Sequence, residues 1–441
     1  METASILGLS LGIPVNIMSI IIIFIGLIMF ITEVVPIPVT GLILSLLMGI
    51  TGCMPLENIY SGFASSAFIM LLGLLVVGDS MFATGLANVL GAKLLKVKAL
   101  QNEKILFAVL FIISGCCSAF FSNSATIAML IPICASIVAS SNGKLQNKYY
   151  IMGIGFAGVI GGTLTLVGSV PQVMANGIIM DAGFESLGMF DFAKVSGISF
   201  IVALIYFMTI GFAMEKKVFN FEDVSPVSEE YRKGKEDSQE EEPKLTREMI
   251  ICACVFLFCA FCFVTGLFPI AVTALIGAAV LFATKAMDFK TTMRNLDWNA
   301  LMVVATSTSF AAGLNLSGGG KLIADTVLGI FGDNASPAVL MIAGVVISAF
   351  LGQLMSMTAI VSMMVPIYLA IAQALGVSPY PFVYALVLAA SSGLATPVGN
   401  AGITQTMVGG YRFMDYVKIG GPLTIILVII DCIFCPIMFP F

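Results

Sequence analysis

The 441-residue sequence contains no histidine, and its charged residues are few and unevenly placed. Only 10% of its residues are Asp, Glu, Lys or Arg, and 18 of them lie between Glu215 and Glu248. The lack of histidine excludes histidine bases, histidine-bound haem and histidine-bound zinc. The net charge of −5 comes mainly from that one acidic segment, so it gives no indication that the chain binds nucleic acid.

Two further absences narrow the possible functions. No Lys or Arg precedes the first apolar run and no small-residue cleavage site is evident, so we expect no cleaved signal peptide. The ten cysteines lie in apolar segments without the spacing of a zinc site, as small hydrophobic residues in helices do. A chain without histidine and without a carboxylate pair at membrane depth offers no constellation for an intramembrane enzyme.

The sequence is instead rich in apolar residues. Hydrophobic residues make up 59% of the chain and the mean hydropathy is +1.06. The core of a soluble protein cannot bury so large a share of apolar residues. The composition therefore predicts an all-α polytopic membrane protein in the plasma (inner) membrane, in contact with the lipid bilayer. Ten apolar runs of spanning length lie near residues 17–35, 38–53, 64–88, 150–169, 190–214, 249–266, 268–285, 298–316, 380–396 and 417–438.

Two other apolar stretches, near 105–139 and 337–376, are each interrupted in the middle by small polar residues. The first contains SNSATIAMLIPI from residue 122 and the second contains SMTAIVSMMVPI from residue 356. Irregular backbone at membrane depth is tolerated only where protein buries it or where it lines a watery cavity. We therefore expect two re-entrant hairpins, whose ends we call the first tip (residues 118–124) and the second tip (residues 352–358).

The two tip sequences belong to an internal repeat that relates residues 1–214 to residues 249–441. In the same order, IPVTGLI matches IAVTALI, GTLTLVGS matches GLATPVGN, and DFAKVSG matches DYVKIGG. Each half thus holds five spans and one hairpin. The segments 161–172 and 391–402 combine Gly, Thr and Pro inside a span, so we expect helices that unwind at mid-membrane, with carbonyl groups free to bind a cation.

Basic residues predict the orientation of the chain. Lys residues on both sides of the first hairpin place it on the cytoplasmic side, together with the charged linker 215–248, which we expect to be solvated and mobile. Counting spans from there puts the second hairpin and both termini on the external side. Because the orientation reverses between the halves, the repeat is predicted to be inverted, which is the layout of secondary transporters.

The chemistry of the tips predicts a site for an anion and a small cation. The second arm of each hairpin begins with free N–H groups and the positive end of its dipole, which favour a carboxylate. The first arm ends in free carbonyl groups, which favour a cation. Neither tip nor unwound segment contains a charged side chain, and the acidic residues at apolar depth lie near span ends or loops. This argues against a proton relay and against a cationic substrate.

At these residues the sequence resembles the divalent anion/sodium symporter family of the ion transporter superfamily. That family carries a Ser-Asn-Thr signature at each of two hairpin tips, and the resemblance covers nearly the whole chain. It implies a homodimer in which the hairpins and unwound helices slide across the membrane in an elevator motion. It also implies sodium-coupled uptake, or exchange, of di- or tricarboxylates and less often of sulfate, with no cofactor other than the sodium ion.

The resemblance also implies site residues. Sodium would bind at Ser118, Ser122, Asn123 and Gly168, and a second sodium site would lie near Ser356 and Gly399. The substrate anion would contact Asn123, Ser124, Ser169, Ser356, Thr358 and Asn400. Among the departures from the family pattern, Met357 replaces the expected Asn and Gly352 stands where the hydroxyl equivalent to Ser118 would be. Gln353 and Asn400 are candidates to compensate.

Three alternatives remain open on the sequence alone. The altered second tip favours a cation-independent dicarboxylate exchanger. A sulfate- or arsenite-type permease would share the same superfamily. A channel would conduct without saturation, whereas a transporter would show saturable counterflow.

Overall fold

The structure, a computed structural model, describes residues 3–6, 9–86, 89, 102–139, 141, 143–226, 245–331 and 336–441. It begins with a two-stranded antiparallel hairpin of β1 (Thr3–Ile6) and β2 (Leu9–Pro14), which the sequence did not predict. The lysines of 93–98 that support the predicted orientation, and linker residues 227–244, lie outside the described residues.

Helices make up most of the described residues in both halves of the chain. The first half contains α1 (Val15–Thr32), α2 (Ile37–Ile50), α3 (Ser66–Ala83), α4 (Glu103–Ser118), α5 (Asn123–Ala139), α6 (Ile151–Gly162), α7 (Val170–Asp181) and α8 (Ala193–Val218). The second half contains α9 (Arg247–Thr265), α10 (Ile270–Ala283), α11 (Phe289–Asn295), α12 (Trp298–Leu316), α13 (Gly319–Phe331), α14 (Pro337–Leu351), α15 (Met357–Leu375), α16 (Tyr380–Ser391), α17 (Ala401–Gln405) and α18 (Phe413–Met438).

Each of the ten apolar runs predicted from the sequence contains a helix. Six of the described helices are long and apolar enough to cross a membrane, and a seventh span is possible if α12 and α13, which meet at a bend of 68°, count as one. The prediction of an all-α, multi-pass membrane protein is confirmed. Helix α13 was not among the predicted runs, because its start at GGGK reads as a loop.

Both halves break their helices where Gly, Pro and Ser cluster. Helices α4 and α5 pack against each other across the break at 119–122, and α14 and α15 do the same across 352–356. The segments 163–169 and 392–400, between α6 and α7 and between α16 and α17, have no helical structure. These breaks coincide with the predicted tips and the predicted unwound segments.

Helices of the first half pack directly against helices of the second half. Helix α2 packs against α12, and α3 packs against α10. Small residues allow this close approach, since a β-carbon at Gly73 would lie 2.8 Å from Cβ of Ala274, and one at Gly41 would press against the Thr306 hydroxyl.

The repeated motifs DFAKVSG and DYVKIGG have a structural role as helix starts. Asp415 Oδ2 accepts the backbone N–H of Arg412 at 2.8 Å, and Asp191 Oδ2 accepts that of Gly188 at 2.9 Å. In both cases a carboxylate accepts an N–H group three residues earlier. At Asp415 this bond is part of a capping box that starts α18, whereas at Asp191 it closes a turn directly before α8.

The expectation of a solvated, mobile linker over 215–248 is wrong for its two ends. Helix α8 continues to Val218, and α9 begins at Arg247. Between them, Asp223 accepts the backbone N–H groups of Asn147 at 3.0 Å and Lys148 at 2.9 Å. The aromatic ring of Phe219 is buried against Tyr411. These contacts hold the first part of the linker against the residues that directly precede α6.

Candidate functional site between the two tips

The first tip brings a hydroxyl and an amide together in a buried position. Helix α4 ends at Ser118 and α5 begins at Asn123. The Ser118 hydroxyl donates a hydrogen bond of 2.7 Å to Asn123 Oδ1. Ser118 is fully buried and Asn123 is 7% exposed. The bond fixes the rotamer of Asn123 and leaves its second Oδ1 lone pair available to another partner.

Carbonyl oxygens from the first tip and from the end of α6 converge beside Gly168. A β-carbon at Gly168 would lie 2.9 Å from the carbonyl oxygens of Ser118 and Ala119, and closer still to that of Gly162. A β-carbon at Gly162 would press against Asn123 Oδ1. Only glycine leaves this space open. The result is a cluster of neutral oxygen atoms around one small space, which is the ligand chemistry that suits a hard cation such as sodium.

The unwound segment 163–169 is held against the first tip by side-chain hydrogen bonds. The Thr165 hydroxyl donates to the Ala119 carbonyl and accepts the backbone N–H of Gly168 at 3.1 Å. Gln172 Nε2 donates to the Gly162 carbonyl at 3.2 Å. Thr165 and Gln172 therefore set the position of the carbonyl cluster, although the sequence indicated no such role for them.

Three other predicted residues of the first half contribute less to this cluster. The Ser122 side chain is exposed, and its carbonyl accepts the N–H of Thr126 at 3.0 Å. Ser124 is partly buried in the first turn of α5. The Ser169 hydroxyl donates to Gln172 Oε1, so it is turned toward its own helix.

The second tip has a different polar set. The hydroxyl groups of Ser356 and Thr358 lie 2.7 Å apart, and the Ser356 hydroxyl accepts the N–H of Ala359 at 3.3 Å, which caps α15. Between them, the thioether of Met357 lies 3.9 Å from the Ser391 hydroxyl and 4.0 Å from Asn400 Nδ2. Met357 thus occupies the position equivalent to Asn123 and offers only a weak acceptor there.

Gln353 fixes the second unwound segment to the second tip. Its Oε1 accepts the N–H of Ala395 at 2.9 Å, and its carbonyl accepts the Thr396 hydroxyl at 2.6 Å. A β-carbon at Gly399 would press against the Gly352 carbonyl and lie 3.4 Å from the Met355 carbonyl. The second tip therefore keeps a pair of carbonyl groups near Gly399, without the hydroxyl and amide of the first.

Asn400 and Asn123 lie close together although they come from opposite halves. Asn400 Oδ1 accepts the N–H of Gly402 at 2.9 Å. A β-carbon at Gly402 would lie 3.6 Å from Cβ of Asn123, because α17 packs against α5 and α6. The two asparagines, one from each half, thus lie on either side of Gly402.

Two acidic residues are buried by the packing of neighbouring helices. Asp431 lies inside α18 and is 2% exposed, and Glu215 near the end of α8 is fully buried. Local sequence patterns carry little signal for this, because only the packing of neighbouring helices determines which side of a long apolar helix is covered.

Comparison with known proteins agrees with this architecture. Residues 27–268 and 260–440 match the family model described as citrate transporter. The uncharacterized transporter YfbS of Escherichia coli K12 is 20% identical, over 95% of this chain and 98% of the relative. The sodium-dependent dicarboxylate transporter SdcS of Staphylococcus saprophyticus is 24% identical, over 84% of this chain and 76% of the relative.

A solved structure shares the fold. The YdaH transporter of Alcanivorax borkumensis superimposes with a TM-score of 0.59 at 16% identity, over 87% of this chain and 86% of that chain. The matched relatives are transporters, which confirms the prediction that this chain is not an enzyme, and they agree with the resemblance to the divalent anion/sodium symporters. Because the family model matches nearly the whole chain, this multi-pass membrane protein belongs to the citrate transporter family.

Proposed function

We propose that this protein is a sodium-coupled secondary transporter of small dicarboxylates or tricarboxylates. The observation that carries the proposal is the group of three carbonyl oxygens that converge at Gly168, with Asn123 Oδ1 beside the neighbouring Gly162. Neutral oxygen ligands suit sodium, and the bound charge would attract an anion to the adjoining space between the tips. The likeness to the dicarboxylate transporter SdcS supports the same substrate class.

The anion would lie between the two tips. Asn123 and Asn400 provide amide groups from the two halves, and Ser356 and Thr358 provide hydroxyl groups. Helices α5 and α15 begin at the two tips, so the positive ends of their dipoles would face the carboxylates. Ser124 lies in the first turn of α5 and would contribute its hydroxyl. Ser169 would join this set only if its bond to Gln172 were released.

The remaining elements of the proposal concern motion and assembly. The helix pairs α4–α5 and α14–α15 would be re-entrant hairpins that enter from opposite faces of the membrane, in an inverted repeat. Together with the unwound helices they would move against the rest of each subunit of a homodimer, in an elevator motion. Helices α2, α3, α10 and α12, which exchange contacts between the halves, would form part of the static scaffold.

A cation-independent exchanger is the second candidate. The observation in its favour is Met357, whose thioether takes the place of a ligand at the second tip, beside Gly352, which lacks a hydroxyl. Both candidates predict saturable transport of the same anions. They differ in whether a sodium gradient alone drives accumulation.

The test is uptake of labelled succinate, citrate and sulfate into proteoliposomes, with an inward sodium gradient or with potassium in its place. The proposal predicts sodium-dependent accumulation of a carboxylate. Equal rates in sodium and potassium, with exchange against internal carboxylate, would favour the exchanger. Sulfate uptake without carboxylate uptake would contradict the proposed substrate class.

A further inference from the structure

A small polar cavity lies where the two halves meet, outside the set of residues assigned to the anion and to sodium at the first tip. Its volume of about 10 Å³ is enough for one water molecule or one small ion. Polar side chains of both halves line it, namely Thr163, Ser196, Ser199, Ser391, Ser392 and Asp431. They come from the ends of α6 and α16 and from the facing helices α8 and α18.

Two polar atoms in this cavity have no partner. Oδ2 of Asp431 and Oγ of Ser199 are buried and form no hydrogen bond with any of the described residues. Asp431 is 2% exposed and Ser199 is 5% exposed. An ionised carboxylate in such a place costs several kcal/mol unless a positive charge or a donor meets it. Among the described residues, neither a positive charge nor a hydrogen-bond donor meets the Asp431 carboxylate in this structure.

Four of the five hydroxyl groups that line the cavity already donate their single proton to a carbonyl group, and the fifth, that of Ser199, forms no hydrogen bond with any of the described residues. Thr163 donates to Ile160 at 2.6 Å, Ser391 to Val387 at 2.9 Å and Ser392 to Leu388 at 3.0 Å. Ser196 likewise donates within its helix and to the Thr163 carbonyl at 3.0 Å. Their lone pairs remain free, so the cavity is lined by oxygen acceptors.

The helix ends at the cavity also favour a positive charge. Helix α6 ends at Gly162, next to Thr163, and α16 ends at Ser391. A helix C-terminus carries roughly half a negative charge, and two such ends meet here. No Lys or Arg lines the cavity. A carboxylate, two negative helix ends and several hydroxyl oxygens together exclude an anion as the occupant.

We propose that this cavity binds a sodium ion, with the Asp431 carboxylate and surrounding hydroxyl oxygens as its ligands. The site joins α6 and α8 of the first half to α16 and α18 of the second half. Thr163 begins one unwound segment and Ser392 begins the other. Occupation would therefore stabilise the packing between the halves and fix the ends of both unwound segments. The site is independent of the sodium site proposed at the first tip.

The test measures sodium binding by thermal unfolding of the purified full-length protein in detergent, because an ion that binds only the folded state raises the unfolding midpoint. Sodium chloride is titrated against choline chloride at constant ionic strength, at pH 6 and pH 8. The Asn123→Ala background removes the site at the first tip. In that background we expect a remaining sodium-dependent rise of the midpoint, which Asp431→Asn abolishes or shifts to at least about tenfold higher sodium.

Two further variants make the outcome decisive. Ser199→Ala keeps the carboxylate and should raise the half-saturating sodium concentration by a smaller factor, so it tests the site even if Asp431→Asn fails to fold. Asp79→Asn alters a partly buried carboxyl group in α3, outside the cavity, and should leave the sodium titration unchanged.

An unchanged sodium titration in Asp431→Asn, or in Ser199→Ala if that is the only one that folds, would overturn the proposal. A midpoint that responds to pH but not to sodium, and loses its pH response in Asp431→Asn, would identify a proton as the occupant and would also overturn it. Sodium binding that depends on Asp431 in a protein without sodium-driven uptake would contradict only the proposed transport function.

Discussion

The Ser118 hydroxyl donates a hydrogen bond of 2.7 Å to Asn123 Oδ1, across the break between the two helices of the first tip. The second tip has no such pair, because Gly352 and Met357 occupy the equivalent positions. The bond holds Asn123 Oδ1 beside Gly162, whose carbonyl belongs to the cluster at Gly168. The two tips therefore differ in the ligands that they offer to a cation.

Removal of the Ser118 hydroxyl should weaken sodium binding without unfolding the protein. A hydrogen bond of this kind contributes about 1 kcal/mol, so Ser118→Ala should raise the half-saturating sodium concentration of uptake about fivefold. The matched control is Ser114→Ala, one turn earlier in α4, where the hydroxyl donates to the Ile154 carbonyl at 2.7 Å. If both variants shift the sodium dependence equally, the effect belongs to helix packing and the role assigned to Ser118 is wrong.

A side chain at Gly168 should close the cation space. The added methyl group of Gly168→Ala would lie 2.9 Å from two carbonyl oxygens and press against a third, all of them backbone atoms. We expect sodium-dependent uptake to fall by more than about tenfold while the protein remains in the membrane. Gly197→Ala is the control, because a β-carbon there meets no atom within 4 Å. Normal sodium dependence in Gly168→Ala would place the cation elsewhere.

An amide at residue 357 should restore a ligand to the second tip. Met357→Asn would place an oxygen near Asn400 and Ser391, which now contact the thioether. We expect the Hill coefficient of uptake for sodium to increase, because a second ion would bind beside Gly399. Met357→Leu, which has no ligand atom, should leave the coefficient as it is. An unchanged coefficient in Met357→Asn would mean that the second tip does not hold a cation.

Acidic pH should weaken the interaction of Asp191 with Tyr384 of the second half. Burial raises the pKa of Asp191, but hydrogen bonds from Lys194 and Tyr384, with the charge of Lys194, outweigh it and hold the pKa below its ordinary value. A group whose pKa is lower in the folded state stabilises the protein above its unfolded pKa. This contribution is lost as the pH falls below about 4 through the folded pKa.

The measurement for Asp191 is the unfolding midpoint in detergent as a function of pH. Asp191→Asn should lower the midpoint at neutral pH and flatten its decline at acidic pH. Glu185→Gln, an exposed residue of the same loop, should reproduce the wild-type profile. Identical profiles for wild type and Asp191→Asn would show that the carboxylate does not contribute to stability.

Local sequence signals predicted the breaks in the helices, because Gly, Pro and Ser act on their own backbone. SNSATIAMLIPI and GTLTLVGS could therefore be placed at the tip and at the unwound segment without any tertiary information. Ser118 and Asn123 were assigned to one site only through the family resemblance, and the structure shows that a hydrogen bond across the helix break joins them. The ten apolar runs were identified by length and composition alone.

Long-range packing could not be predicted in the same way. The docking of Asp223 under α6 and the burial of Asp431 depend on which helices meet, and no local pattern encodes that. Gln353 was only a candidate in the sequence, since its bonds to Ala395 and Thr396 cross 42 and 43 residues. The part of the site that joins the halves was accordingly the least predictable.

The most direct test of the account is accumulation of labelled succinate or citrate in proteoliposomes under an inward sodium gradient, for wild type and Asn123→Ala. The account predicts accumulation by the wild-type protein that disappears when potassium replaces sodium, and none by the variant in either salt. Uptake by the wild-type protein that is equal in sodium and potassium, or unchanged uptake by Asn123→Ala, would contradict it.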